Sequence, residues 1–217
     1  MAETGATASP RGPEPDERLR AWGRIGRETP ASWIEANAVE GRRLLFAAIL
    51  ERLRPVANRT ILAAGIGLAP LARILEAAGA SVRTVDFLAS GLPDAEAAAR
   101  ELRRLSGDAE RIDAAVAVEL FEELPREGWP SLARALGDAG GGRLLVASRV
   151  PGIGSALLSL SAWPGPSETI DPVALLRTLH LATDLRLVHR QTLAVRTYRA
   201  ELVDLARPSG AEETCHP

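Results

Sequence analysis

The sequence contains no lysine: all 26 of its cationic residues are arginine, and 28 acidic residues bring the formal net charge to −2. Without lysine the chain has neither the phosphate-binding lysine of a Walker A loop nor the lysine that forms a Schiff base with pyridoxal phosphate. The balanced charge provides no broad positive field for a nucleic acid or an anionic membrane. Two large enzyme classes and a nucleic-acid partner are therefore excluded.

Cysteine, histidine and aromatic residues are also scarce. Cys215 is the single cysteine, and His180, His189 and His216 are the only imidazoles. This set excludes a disulfide framework and the usual zinc clusters, so we expect no metal site. Aromatic residues, at 4%, are too few to form a surface on which the bases of single-stranded nucleic acid stack. No apolar run approaches the ~20 residues that span a bilayer, so we expect no transmembrane segment and a cytoplasmic location.

The remaining composition indicates one α/β domain. With 217 residues, of which 46% are hydrophobic, the chain suits one domain of ordinary size. Short apolar runs that alternate with helical segments after residue 58 are typical of βαβ units around a mostly parallel sheet. The expected divisions are a disordered leader over 1–17, one domain over 18–207 with an N-terminal helical arm over 18–55 and a sheet core with the C-terminal part over 58–207, and a disordered tail over 208–217.

The predicted sheet is doubly wound and ends in an antiparallel pair of strands. The stretch between Asp86 and Ile112 is too short for a helix, a turn and a further strand, so this Rossmann-like sheet is expected to be one strand short. The predicted strands are Thr60–Ala64, Ser81–Val85, Ile112–Val118, Arg143–Ser148, Leu185–His189 and Leu193–Val203, and the predicted helices run from about residue 32 to 53, 69 to 78, 93 to 105, 130 to 136 and 172 to 181.

The first strand runs into a glycine-rich turn that can hold a ligand. Gly65, Gly67 and Ala69 are spaced as G-x-G-x-A, and small residues at a helix N-terminus let backbone N–H groups approach a bound molecule. Asp86 ends the second strand, where a carboxylate accepts hydrogen bonds from the two hydroxyls of an adenosine ribose. A tight turn without a ligand is the alternative. The nicotinamide version of this site is disfavoured because Pro70 occupies the place of its third glycine.

The segment from Thr60 to Ser148 resembles the core of class I S-adenosylmethionine-dependent methyltransferases. The resemblance rests on the turn at 63–70, on the Gly-Gly-Arg-Leu-Leu-Val run at 141–146 and on the Phe-Glu-Glu-Leu-Pro loop at 121–125. More narrowly, 20–207 resembles the magnesium-protoporphyrin IX O-methyltransferases of bacteriochlorophyll synthesis. The segments that carry this narrower likeness are Ala-Trp-Gly-Arg-Ile at 21–25, Val-Glu-Gly-Arg-Arg at 39–43, Ile-Asp-Pro-Val at 170–173 and Arg-Gln-Thr at 190–192.

The resemblance implies a cofactor, S-adenosylmethionine, and a site for it. Gly65, Gly67 and Ala69 would face its methionine half, and Asp86 its ribose. Members of the family usually carry an aspartate two residues before the first glycine, where it contacts the methionine ammonium, but this chain has Ala63. Glu119 is the acid that could substitute for it.

The resemblance also implies substrate residues. A family histidine in the loop after the fourth strand aligns with Glu123, and the tyrosine of the family's N-terminal arm has no counterpart, because Tyr198 lies in a late strand. Trp22 and Trp163 fall in segments that would cap the open end of the sheet, so we expect them to line a substrate pocket. Gly107 and Asp108 resemble the acidic turn that binds adenine in the family. The alternative is that Asp108 is an ordinary loop residue. Glu122, Glu123 and Glu127 are interpreted as a solvated acidic loop.

The leading hypothesis is therefore a methyltransferase that acts on a small molecule, with a tetrapyrrole carboxylate of (bacterio)chlorophyll-type biosynthesis as the substrate class. The alternative is a pseudoenzyme that keeps the fold, has lost the cofactor and serves as a partner or carrier protein in a pigment pathway. Ala63, the short sheet and Glu123 favour the alternative. An NAD-binding oxidoreductase is a third, more distant hypothesis.

Overall fold

The structure is a computed structural model that describes residues 33–87, 94–107, 111–150, 170–195 and 198–208. It alternates helices with strands from Thr60 onward, as the sequence predicts. The helices are α1 (Trp33–Leu53), α2 (Ala69–Ala77), α3 (Ala95–Gly107), α4 (Trp129–Ala139) and α5 (Pro172–Ala182), and the strands are β1 (Thr60–Gly65), β2 (Ser81–Asp86), β3 (Ala114–Val118), β4 (Arg143–Arg149), β5 (Arg186–Val195) and β6 (Tyr198–Ala206).

The six strands form one sheet in the order β2-β1-β3-β4-β6-β5. The first four are parallel, and β6 pairs antiparallel with both β4 and β5. The predicted α/β class and antiparallel last strands are confirmed. β2 lies at an edge, and within the described residues no further strand lies beyond it, as expected of a sheet that is one strand short.

Helices cover both faces of the sheet because its strands carry apolar residues on both faces. One apolar cluster packs α3, α4 and α5 against a face that includes Leu62 and Leu144. A second cluster packs α1 and α2 against the opposite face, which includes Ile61 and Leu145. The chain thus crosses from β1 to β2 on one face and from β2 to β3 on the other. This change of side opens a crevice at the carboxyl ends of β1 and β3.

Local sequence explains where the C-terminal helix begins. Asp171 is the N-cap of α5, and its side chain accepts a hydrogen bond from the Val173 N–H at 3.0 Å. Pro172 occupies the first turn, where the missing N–H has no intrahelical partner to lose. Among the described helices, none combines the length and apolar character needed to cross a bilayer.

Candidate functional site

The turn after β1 brings the main chain of two strands unusually close together. Gly65 has φ of +147° and Gly67 has φ of +59°, both in the region that favours glycine. A Cβ added to Gly65 would lie 2.0 Å from the carbonyl oxygen of Val118, the last residue of β3. The Ile66 N–H donates to that same oxygen at 3.3 Å. The turn, here called the glycine loop (65–68), therefore depends on the absence of a side chain at position 65.

Asp86 lies beside the glycine loop. It pairs in register with Gly65 on the neighbouring strand, and its Oδ2 accepts a hydrogen bond from the Leu68 N–H at 3.3 Å. Ala69 is the exposed first residue of α2. The structure thus brings together four of the residues predicted to hold a cofactor.

Glu119, the fifth predicted cofactor residue, follows β3 immediately and is 2% exposed. Its backbone has φ of +49°, a left-handed conformation that is uncommon for glutamate. The Tyr198 hydroxyl donates to Oε1 at 3.0 Å, and the Arg42 and Arg149 guanidiniums lie 3.3 and 3.7 Å from the carboxylate. Burial opposes ionisation, but the two arginines and the tyrosine hydroxyl together lower the pKa of Glu119 below its ordinary value.

Arg42 connects the N-terminal helix to the glycine loop. This side chain is 5% exposed, and its Nη2 donates to the Ile66 carbonyl at 2.6 Å as well as approaching Glu119. Its guanidinium also lies 5.4 Å from the centre of the Phe46 ring. A loop carbonyl and a buried carboxylate are therefore held by one cation on α1.

Glu122 lies in a short 3-10 turn, Phe121–Glu123, that follows Glu119 closely in the chain. The interpretation of this residue as part of a solvated loop is wrong, because the turn folds it against β4 and leaves it 4% exposed. Its Oε1 accepts the Arg149 N–H at 2.5 Å, and its Oε2 is buried without a hydrogen-bond partner among the described residues. Burial, assisted by the charge of Glu119 and only partly offset by Arg149, raises the pKa of Glu122 to about 8.

Trp129 fixes this turn in place. Its indole N–H donates to the carbonyls of Phe121 and Leu124 at 3.0 and 3.1 Å, and its ring meets the Phe121 ring edge to face at 5.7 Å. The segment after β3 is thus held by a buried aromatic residue at the start of α4. Because both ends of the turn are anchored, the position of the Glu122 carboxyl is well determined by its surroundings.

Some predicted residues lie outside the described residues. These are Trp22, Asp108 and Trp163, together with the side chain of Glu123, of which only the backbone of the 3-10 turn is described. Ala63, where the family usually has aspartate, is fully buried against α1 and α2. Over the described part of the chain, no three histidine, cysteine, aspartate or glutamate side chains are grouped as a metal site would require.

Most of the polar cluster around Glu119 was not predicted from the sequence. Arg42 stands inside the Val-Glu-Gly-Arg-Arg segment that carries the family resemblance, and this was the available signal. Tyr198 attracts attention as the only tyrosine, but its contact with Glu119 joins residues 79 positions apart. Arg149 and Ser148, at the end of β4, have no neighbouring sequence motif that would have marked them as site residues.

Comparisons with known proteins identify solved structures of similar fold. No protein-family model matches the chain, and no curated protein sequence does. The magnesium protoporphyrin IX methyltransferase of Synechocystis PCC 6803, solved with bound S-adenosylhomocysteine, is 15% identical with a TM-score of 0.67, over 88% of this chain and 94% of its own. The 1,6-didemethyltoxoflavin N1-methyltransferase of Burkholderia thailandensis, solved with bound 1,6-didemethyltoxoflavin and S-adenosylhomocysteine, is 11% identical with a TM-score of 0.56, over 94% of each chain.

A third similar structure is the N-methyltransferase NodS of Bradyrhizobium japonicum WM9. It is 16% identical with a TM-score of 0.53, over 78% of this chain and 98% of its own. At these identities the likeness establishes the fold. The chain has the fold of the class I S-adenosylmethionine-dependent methyltransferases.

Proposed function

We propose that this protein is an S-adenosylmethionine-dependent methyltransferase that acts on a small molecule. The proposal rests on one observation. In a methyltransferase-like fold, Asp86 contacts the glycine loop at the carboxyl edge of the sheet. Open α/β sheets bind their ligands at that edge, where the crossovers change sides.

The residues of the loop fit the cofactor. Gly65 and Gly67 leave the backbone of the turn without side chains, and Ala69 presents only a methyl group at the start of α2. We assign these three residues to the methionine half and the Asp86 carboxylate to the ribose hydroxyls. When bound, the cofactor supplies an electrophilic methyl group: its C–S bond breaks as the new bond to the acceptor forms, and the electron pair stays on sulfur.

Glu119 compensates for the missing aspartate in this proposal. Ala63 offers no charge, whereas the Glu119 carboxylate lies directly after the strand that touches the glycine loop. Its lowered pKa keeps it ionised at neutral pH. Because Arg42 and Arg149 already neutralise this carboxylate, its proposed role is to accept a hydrogen bond from the methionine ammonium, and not to supply a net negative charge.

The finer proposal is a tetrapyrrole carboxylate as the substrate. It is supported by the sequence resemblance over 20–207 and by the coverage of nearly the whole magnesium protoporphyrin IX methyltransferase chain. Trp22, Trp163 and Glu123 remain the residues predicted to contact this substrate, and a cytoplasmic location remains part of the proposal.

The test is calorimetric titration of the full chain with S-adenosylhomocysteine. We expect binding, and we expect Asp86→Ala to weaken it by about tenfold to a hundredfold, since a hydrogen bond to a charged group contributes about 1.5–3 kcal/mol. Asp113→Ala is the matched control. This aspartate accepts the Thr60 N–H at 2.9 Å at the opposite end of β1, so its loss should leave the affinity unchanged.

Two results would contradict the proposal. If the folded protein binds no S-adenosylhomocysteine, the chain is better described as a pseudoenzyme that serves as a partner or carrier protein. If Asp86→Ala binds as tightly as the unmodified protein, the assignment of the ribose is wrong.

A further inference from the structure

We propose that Glu122 and Ser148 form the subsite for the substrate's carboxylate, with the protonated Glu122 and the Ser148 hydroxyl both donating hydrogen bonds to it. This inference rests on the proposed function and specifies how the acceptor group is held. It assigns a role to two buried polar groups that the cofactor site does not use.

Both groups have polar atoms without partners. Among the described residues, Glu122 Oε2 and Ser148 Oγ are buried and make no hydrogen bond, and the residues are 4% and 3% exposed. Buried polar atoms are nearly always paired, and an unpaired one costs about 1–3 kcal/mol. Such atoms are therefore expected to gain a partner when the protein binds its ligand.

Both groups belong to the carboxyl end of β4, Ser148 as one of its residues and Glu122 through a hydrogen bond to it. The Arg149 N–H holds Glu122 Oε1 at 2.5 Å, and Ser148 is the residue just before it on β4. Arg149 also approaches Glu119, and Glu119 follows Val118, whose carbonyl accepts the Ile66 N–H of the glycine loop. The proposed subsite is therefore next to the cofactor site, as methyl transfer requires.

A buried acid at the opposite edge of the sheet provides the contrast. Asp204 is 1% exposed, and both of its oxygens are paired: Arg143 contacts Oδ1 at 3.2 Å, and Arg52 and Arg143 contact Oδ2 at 2.8 and 3.0 Å. The fold thus gives both oxygens of this buried carboxylate an arginine partner. The incomplete shell of Glu122 occurs at the edge where ligands bind.

Burial favours the neutral form of Glu122, and the nearby positive charge of Arg149 only partly opposes it. Glu119 contributes a negative charge, while Arg149 has an ion pair with Glu119. Arg42 and Tyr198 also face Glu119. Opposite Ser148 on β6, Glu201 is paired with Arg190. The raised pKa of Glu122, about 8, agrees with a carboxyl group that is protonated at neutral pH.

A protonated carboxyl group and a hydroxyl group complement an anion. Transfer of the methyl group to a carboxylate forms a C–O bond, converts the anion to a neutral ester and moves no proton. Glu122 would therefore hold its proton throughout and act as a binding group. Hydrogen bonds to an ionised acceptor are about twice as strong as those to a neutral one, so the ester product is held less tightly than the substrate.

The experiment measures binding of protoporphyrin IX, which carries two carboxylates, to the full chain saturated with S-adenosylhomocysteine. Above a pKa of about 8, ionised Glu122 should repel the ligand, and the affinity should fall by about tenfold for each pH unit. The dimethyl ester of protoporphyrin IX, which has no carboxylate, should show no such fall.

Variants separate the binding role from a structural one. Glu122→Gln keeps an acceptor for Arg149 and places an N–H₂ donor at the free position, so we expect affinity within about threefold at neutral pH and no alkaline fall. Ser148→Ala should weaken binding by up to about tenfold at neutral pH. Glu201→Gln, a buried control on the adjacent strand, should retain the fall.

The proposal is overturned if the unmodified protein binds protoporphyrin IX with pH-independent affinity, or if the ester shows the same alkaline fall. It is also overturned if Glu122→Gln binds S-adenosylhomocysteine normally but loses the porphyrin at neutral pH. A protein that binds S-adenosylhomocysteine but not protoporphyrin IX refutes the carboxylate subsite and leaves the methyltransferase proposal intact.

Discussion

At the scale of single residues, the glycine loop depends most on position 65. We expect Gly65→Ala to lower the free energy of unfolding by at least about 2 kcal/mol, because the new Cβ would meet the Val118 carbonyl and the left-handed backbone would be strained. Binding of S-adenosylhomocysteine should be lost in the protein that still folds. Urea denaturation and calorimetry measure the two effects.

A second glycine provides the control. Gly107 ends α3, and a Cβ added there meets nothing within 4 Å. Gly107→Ala should therefore change the free energy of unfolding by no more than about 1 kcal/mol, in the stabilising direction expected of alanine in a helix. Equal destabilisation by both substitutions would show that the close approach of β1 to β3 is not what requires Gly65.

At the scale of elements, α1 is held to the sheet by one ion pair at its middle and one at its C-terminal end. Arg42 contacts Glu119 and the glycine loop, and Arg52 contacts Asp204 at the opposite edge. We expect Arg42→Ala to weaken binding of S-adenosylhomocysteine by tenfold or more, since the Ile66 carbonyl and the Glu119 carboxylate lose a shared cation. It should also lower the free energy of unfolding by about 3–5 kcal/mol, as removal of one partner of a buried pair does.

Arg52→Ala tests whether this effect is specific to the cofactor edge. Arg52 is 30% exposed on its side chain, and Asp204 keeps its contacts with Arg143. The expected loss in the free energy of unfolding is therefore only about 1 kcal/mol, with unchanged affinity for S-adenosylhomocysteine. If both variants bind it with equal affinity, Arg42 has a structural role alone.

The order of helices and strands could be predicted because each buried strand is a short apolar run between helices. Ala114–Val118, for example, is buried at every position, and the predicted strand was only two residues too long at its start. The ends of β5 and β6 were less accessible to prediction. The predicted strand Leu193–Val203 is wrong at its start: β5 extends to Val195 and β6 begins at Tyr198, so Leu193–Val195 pair with the last strand instead of belonging to it.

Part of the candidate site could be predicted from the sequence, and part of it could not. Gly65, Gly67 and Asp86 could be found from sequence because each has a local requirement, either a positive φ or a carboxylate at a strand end. The cluster around Glu119 could not, because Arg42, Arg149 and Tyr198 meet only through packing of α1, β4 and β6. Glu122 was misjudged for this reason: its burial depends on Trp129 and β4, not on its acidic neighbours.

At the scale of the whole molecule, two buried acids with opposite pKa shifts should control how stability depends on pH. The pKa of Glu119 is lowered, so its stabilising contribution is lost as the pH falls below about 4.5, the ordinary value. The pKa of Glu122 is raised to about 8, so between pH 4.5 and 8 the folded chain holds a proton that the unfolded chain releases. Stability therefore decreases as the pH rises through that window.

Substitution of Glu122 isolates its part of this profile without any ligand. Between about pH 4.5 and 8 the free energy of unfolding of the unmodified protein should fall by on the order of 4 kcal/mol because of Glu122. Glu122→Gln should not show this fall. The reason is that glutamine has no proton to release on unfolding. Urea denaturation at a series of pH values measures the difference, with Glu201→Gln as a buried control that should keep the decline. Parallel profiles for the unmodified protein and Glu122→Gln would show that Glu122 is ionised in the fold, and the protonated donor required at the carboxylate subsite would be absent.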